Sequence, residues 1–277
     1  MAKFTESPEG NLGQAIAPNH ENPNQSLKGG RILERILPAA VQLWLRSQVE
    51  QVEHLSLQLE GRDRDIVSGK LPGVVVSAQK AVYRGIHIAQ LQLSAQDIRI
   101  NVGQVVRGKP LRLLKAFPIT GEVSLSHDDL NASLASPLLA AGLKDFWRSL
   151  MQTSSLDKTV ATLYGQLPLQ SDVELHNLQV RLGDQQLGLS FYPRAQTQIA
   201  TRPIVLGTKI SIVSGNRLQL ESPRWLESLE DLTDADKGVP ITSLHHFQWN
   251  LGQGTQLTQL SVQAEQLFCS GRLTVSP

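Results

Sequence analysis

His245 and His246 stand side by side, and imidazole is the side chain most often found on a transition metal. Neighbours on a regular strand point to opposite faces, so the pair cannot chelate jointly there. No further His, Asp or Glu lies at ligand spacing, and no metal is expected. Ser126-His127-Asp128 holds the residue types of a hydrolase triad. Sequence neighbours cannot adopt triad geometry, and no G-x-S-x-G elbow accompanies them. Ser126 followed by Asp128 and Asp129 reads instead as a helix cap with acids at the positive helix end. Asp63 and Asp65 form a carboxylate pair, but Arg62 and Arg64 between and beside them favour the ionised forms, which suits a solvated turn better than a general acid. Cys269 sits beside Phe268 at an expected strand end with no basic activator, so it reads as a small apolar residue. Neither G-x-G-x-x-G nor G-x-x-x-x-G-K-[ST] occurs. Catalysis has no foothold, and no cofactor is expected.

Arg99, Arg107, Lys109, Arg112 and Lys115 occur with no acid between Asp97 and Glu122. Such a segment can meet phosphates or simply be a solvated loop. It lacks the interleaved aromatics that stack on bases, so nucleic acid is not the expected partner. An anionic lipid surface is favoured, at about 1 kcal/mol per basic residue close to it.

The elements that must carry these residues follow from periodicity. Residues 1–27 have neither helical nor strand period and read as a disordered tail. Ile32, Leu33, Ile36, Leu37, Ala40, Val41, Trp44 and Leu45 recur at helical spacing, predicting a helix over 31–50 that Pro38 kinks or splits. Its stripe suits a core helix, a membrane anchor, or a helix packed under a sheet that helps line a lipid groove. From residue 52 the period becomes two, predicting strands at 52–60, 71–83, 86–100 and 117–126. In the third, Ile86 and Ile88 are in one phase, Leu91, Leu93 and Ala95 in the other, and Ile98 and Ile100 return to the first. Such a strand is bulged or sharply twisted. A helical pattern runs over 127–151 with a break at Pro137. Strands then resume at 173–182, 186–196, 202–213, 217–221, 243–251 and 255–268, interrupted by an acidic loop at 221–237. VELHNLQV at 173–180 loosely matches IHIAQLQL at 86–93, so 28–277 is expected to be one α+β domain, with two related halves, 28–151 and 152–277, as the alternative.

Composition is consistent with this. Of 277 residues 40% are hydrophobic and 18% charged, and only 5% are aromatic, so the core is aliphatic. A net charge of +1 excludes a strong global field, leaving local patches to do any electrostatic binding. A single cysteine excludes an intrachain disulfide. No secretory leader and no transmembrane-length apolar run is visible, so a cytoplasmic protein is expected, with peripheral membrane contact at most.

LPGVVVSAQKAVYRGIHIAQLQLSAQDIRIN at 71–101, LSHDDLNASL at 125–134 and SGNRLQLESP at 214–223 follow an apolar helix. This arrangement resembles the LmeA-like phospholipid-binding family, common in actinobacteria and cyanobacteria, over about residues 30–270. The resemblance implies a long, curved antiparallel sheet wrapping an N-terminal helix, similar to tubular lipid-binding domains, and phospholipid binding or transfer without catalysis. Actinobacterial members are exported; the absence of a leader here points to a cyanobacterial-type protein peripheral to an internal or plasma membrane. The resemblance carries no motif-defined ligand residues. On physical grounds acyl chains are expected against Ile32, Leu33, Ile36, Leu37, Val41, Trp44, Ile86, Ile88, Leu91 and Leu93. Head groups are expected at Arg107, Lys109, Arg112 and Lys115. The alternative is an adaptor that binds another protein through the same apolar helix and strand faces.

Overall fold

A computed structural model describes residues 37–61, 64–65, 68–152, 174–195, 198–199 and 202–277. The expected tail at 1–27, together with Ile32, Leu33 and Ile36, lies outside the described residues. The described part of the first helix (α1) runs without interruption over 37–48, with Pro38 in its first described turn. It leads into β1 (Gln51–Glu60), β2 (Lys70–Tyr83), β3 (Ile86–Arg99), a single helical turn α2 (Val102–Val105) and β4 (Phe117–Ser126).

The chain then leaves this meander through α3 (His127–Ser133) and α4 (Pro137–Met151) to build a second sheet. That sheet contains β5 (Glu174–Gly183), β6 (Gln186–Ala195), β7 (Gln198–Ile199), β8 (Ile204–Ser214), β9 (Arg217–Trp225), β10 (Val239–Pro240) and β11 (Gln248–Asn250). It returns as a hairpin of β12 (Thr255–Val262) and β13 (Gln266–Val275). The hairpin completes the first sheet, whose order is β1-β2-β3-β4-β13-β12; the main path of the second is β10-β9-β8-β6-β5. All pairings are antiparallel and neither sheet closes on itself, which gives the expected α+β class with long antiparallel sheets.

Opposed residues in an antiparallel pair share a face, and alternate residues along a strand do too. The register therefore lays out three apolar rows across the first sheet. One contains Leu59, Val74, Ala95, Ile119 and Leu273; the next Leu57, Val76, Leu93, Gly121, Gly271 and Leu257. The third contains Leu55, Ala78, Leu91, Val123, Cys269 and Leu260. Ser56, Gln58, Ser77, Gln90, Gln92, Ser94, Thr120 and Glu122 occupy the opposite face.

α1 packs on one end of the apolar face. Its Leu37 and Val41, 1% and 6% exposed, join Leu71, Val74, Val76, Ala95, Ile98 and Phe117 in one cluster. Leu71 and Val74 are out of phase, as are Ala95 and Ile98, yet all four reach this cluster. The β2–β3 register is uniform from Lys70↔Arg99 to Tyr83↔Ile86, so no residue is inserted between the two strands. Asp97 instead takes φ +54°, and this left-handed step re-aims β3. In β5 the same pattern of slip is met differently, by a register shift between His176 and Gln179 with Asn177 at φ +51°.

On the other end of the same face, Leu125, Val262 and Leu267 join the core of the second sheet, with Phe191, Ile204, Leu206, Leu220 and Trp225. α4 seals that core with Phe146, Trp147 and Leu150. The Trp147 ring meets Phe191 edge-on at 5.0 Å. The break expected at Pro137 falls between two helices: Ser136 accepts a hydrogen bond from the Leu139 N–H (3.1 Å) and Pro137 takes the first helical position. α3 is tied to the second sheet by Asn131, whose side-chain amide donates to the Val180 carbonyl (2.8 Å) and accepts from the Val180 N–H (2.9 Å).

Several sequence expectations change in the structure. Residues 255–268 are not one strand: Gln263 and Gln266 form the turn of the β12–β13 hairpin without Gly or Pro. Cys269 is consequently mid-strand rather than terminal. The acidic segment at 221–237, expected as a surface loop with a helical turn, has its turn at Leu229–Thr233, but Glu221–Trp225 belong to β9 and the turn buries Leu232 with Val205 and Leu226.

Candidate functional site

The residues capable of chemistry are structurally committed elsewhere. Ser126 caps α3 in a reciprocal box: the Asp129 N–H donates to Ser126 Oγ (3.1 Å), and the Ser126 N–H donates to Asp129 Oδ2 (3.0 Å). His127 Nε2 faces Asn131 at 3.2 Å, not the serine. His245 and His246 are not on a strand, contrary to the premise of the sequence argument. They follow the 3-10 turn Thr242–Leu244, and with His246 at φ +64° their ring centroids lie 4.0 Å apart. His246 Nδ1 is hydrogen-bonded to Gln219 (2.9 Å). Among the described residues no group of three or more His, Cys, Asp or Glu is placed to hold a metal. Asp63 lies outside the described residues, and Asp65 offers its backbone carbonyl to Ser68 Oγ (2.7 Å).

The unsatisfied feature is apolar. The α1 cluster takes in the first sheet from Leu55 on β1 to Ile119 on β4 and Val275 on β13, and the second sheet's core takes in its far end from Val123 onward. Between them Leu91, Leu257, Leu260 and Leu273 belong to neither buried cluster. The first three are half-buried and Leu273 is 45% exposed. Gly121 and Gly271 oppose each other in the middle row, leaving the floor of the strip without side chains there. A Cβ on Gly121 would come within 2.5 Å of Leu93 Cδ2, so Leu93 lies over that gap. Cys269 is half-buried in the third row, between Val123 and Leu260 in register, and burial pushes its thiol pKa up.

The basic segment folds into a compact loop. Asn101, itself buried, ties it together: its Nδ2 donates to the Pro110 carbonyl (3.0 Å), and its Oδ1 accepts from the Arg112 N–H (2.7 Å). Val102, Val105 and Leu111 anchor the loop in the α1 cluster, while Arg107, Lys109, Arg112 and Lys115 are all exposed.

The structure thus gathers some of the sequence-selected residues and separates others. Trp44 and Leu93 pack at the edge of the α1 cluster, and Leu91 lies in the uncovered strip. Leu37 and Val41 lie beneath them as core. Ile86 packs on the second sheet's core instead, and Ile88 lines a separate depression of about 440 Å³ with Val52, Ala81 and Asp129. Leu257, Leu260 and Leu273 escaped the sequence reading. The β12–β13 turn lacks a turn-forming residue, and a register shift between Leu257 and Gln259 breaks the alternation that would have marked the strand.

An apolar sheet face left open beside a helix is one way to shelter lipid, and the comparison with known families agrees. The model of the LmeA-like phospholipid-binding family matches residues 29–272. The chain belongs to that family. Membership covers both sheets, α1 and the basic loop, and it is membership of a lipid-binding family rather than an enzyme family. No curated protein and no solved structure matches the chain. No helix of the described residues is long and apolar enough to cross a membrane.

Proposed function

We propose that the protein binds a phospholipid without chemistry, laying an acyl chain along the strip of Leu91, Leu257, Leu260 and Leu273 between α1 and the second sheet. The observation that carries this reading is the position of these leucines outside both buried clusters, on the face that each cluster covers in part. Trp44 and Leu93 border the strip, Leu37 and Val41 hold α1 in place beside it, and Arg107, Lys109, Arg112 and Lys115 meet head groups. Each buried methylene gains about 0.8 kcal/mol, so roughly eight of them supply about 6 kcal/mol before the cost of association.

The test is the lipid content of purified protein, measured by mass spectrometry after solvent extraction. Cys269, the chain's one cysteine, gives a second readout because it lies on the proposed floor. Wild-type protein is expected to carry phospholipid, and loading from vesicles is expected to slow alkylation of Cys269. Leu260→Lys should abolish both effects. A wild-type protein that is free of lipid, takes none from vesicles and shows unchanged Cys269 alkylation would overturn the reading.

A further inference from the structure

We infer that the Asn101-clamped loop is the part of the molecule that docks on an anionic bilayer, with Val106 and Leu114 entering the acyl boundary. The inference rests on the phospholipid reading and adds to its basic residues two apolar side chains, Val106 and Leu114, that the strip does not use. Val106 is 49% exposed and Leu114 61% exposed, although the same short loop buries Val102, Val105 and Leu111. A loop needing only an apolar anchor already has one, so the two outward side chains are left for something else. Arg107 follows Val106 directly, and Lys115 follows Leu114.

Arg107, Lys109, Arg112 and Lys115 are exposed, none forms an ion pair with a described residue, and no acid occurs between Asp97 and Glu122. A protruding aliphatic side chain next to a cation matches the layered chemistry of a bilayer surface, with phosphates outside and hydrocarbon beneath. The frame is held from within. Asn101 links the Pro110 carbonyl to the Arg112 N–H, the Lys109 N–H reaches the Gln104 carbonyl at 3.0 Å, and the Leu114 N–H reaches the Arg99 carbonyl at 2.8 Å. Two apolar tips are therefore presented on a preformed loop, and docking does not have to pay for ordering it.

The experiment uses the full chain and vesicles of phosphatidylglycerol in phosphatidylcholine, with pure phosphatidylcholine vesicles as the neutral comparison. Wild-type protein is expected to co-sediment with the anionic vesicles and to lose affinity as salt rises. Each basic residue reversed among R107E, K109E, R112E and K115E should weaken binding by more than about fivefold, the value of the lost attraction alone. The pair Val106→Ser and Leu114→Ser should weaken it about tenfold at unchanged charge. A Leu114→Cys label carrying an environment-sensitive dye, in a Cys269→Ser background, should shift to the blue on anionic vesicles only. Lipid content of the Val106→Ser, Leu114→Ser pair, which touches none of the residues assigned to bound phospholipid, separates the two proposals: a pair that keeps bound phospholipid but no longer sediments supports docking through the loop. Charge-reversed and Ser variants that sediment like wild type, with no shift of the Leu114 label, would overturn the docking proposal whether or not the strip holds lipid.

Discussion

The two sheets use apolar residues in opposite ways. The second sheet encloses them: Phe191, Ile204, Leu150 and Leu244 are all but completely buried, and an edge-on aromatic pair fills the space beneath α4. The first sheet is covered where α1 sits and where it meets the second sheet, and between these ends its middle rows are only half-buried from β3 to β12. The difference teaches that burial is uneven between the sheets; on the proposed reading, stability comes from one region and lipid binding from the other. A change in the second core should be felt as unfolding, whereas a change in the strip should be felt as lost binding at nearly constant stability.

The sharpest way to break this comparison is a set of three truncations. Phe191→Ala should cost about 3–5 kcal/mol in urea-induced unfolding, because a fully enclosed ring leaves a cavity. Leu150→Ala should cost about 2–5 kcal/mol for the same reason. Leu260→Ala, in the strip, should cost less than about 1.5 kcal/mol, since only part of its side chain is out of water. Equal costs at Leu150 and Leu260 would show that the strip is core after all.

Next in size is the joint between the regions. Ser126→Ala removes one half of the box that starts α3 where the chain leaves the first sheet. It should cost about 1 kcal/mol, with lipid content unchanged. The smallest effect concerns the acidic loop. Hydrogen bonds from Lys237 and Ser228 hold the Asp231 carboxyl below its usual pKa range. A depressed carboxylate contributes stability above its unfolded pKa and loses that contribution as pH falls through its folded one. Asp231→Asn should therefore be less stable than wild type at pH 7, and the gap should close on acidification below the carboxylate range, as read from unfolding midpoints at each pH.

Legibility in the sequence followed the same division. The meander β1–β4 was readable because Leu55, Leu57, Leu59 and their partners alternate without interruption, and α3 and α4 because Ser126 and Pro137 are strong local signals. Family and fold class followed from those segments. The strip itself was half visible. Leu91 and Leu93 lie in an alternating strand, but Leu257, Leu260 and Leu273 come from a hairpin whose turn residues carry no turn signature and whose register shifts mid-strand. The position of Ile86 was misleading for a related reason: a period-two pattern names a face, not which of two cores that face will meet along a strand of fourteen residues. The left-handed steps at Asp97 and His246 are local backbone choices that tertiary packing selects.

Asn131 has a consequence beyond tethering α3. β5 is the terminal strand on the main path of its sheet, and an outer strand offers unpaired amides to any other extended chain. A primary amide carries a donor and an acceptor side by side, as a peptide group does, and Asn131 presents both to Val180. One side chain thus stands in for the strand that is missing, at the middle of the edge where another molecule would otherwise begin to pair. The short helix α3 also blunts an exposed sheet edge against pairing with another chain.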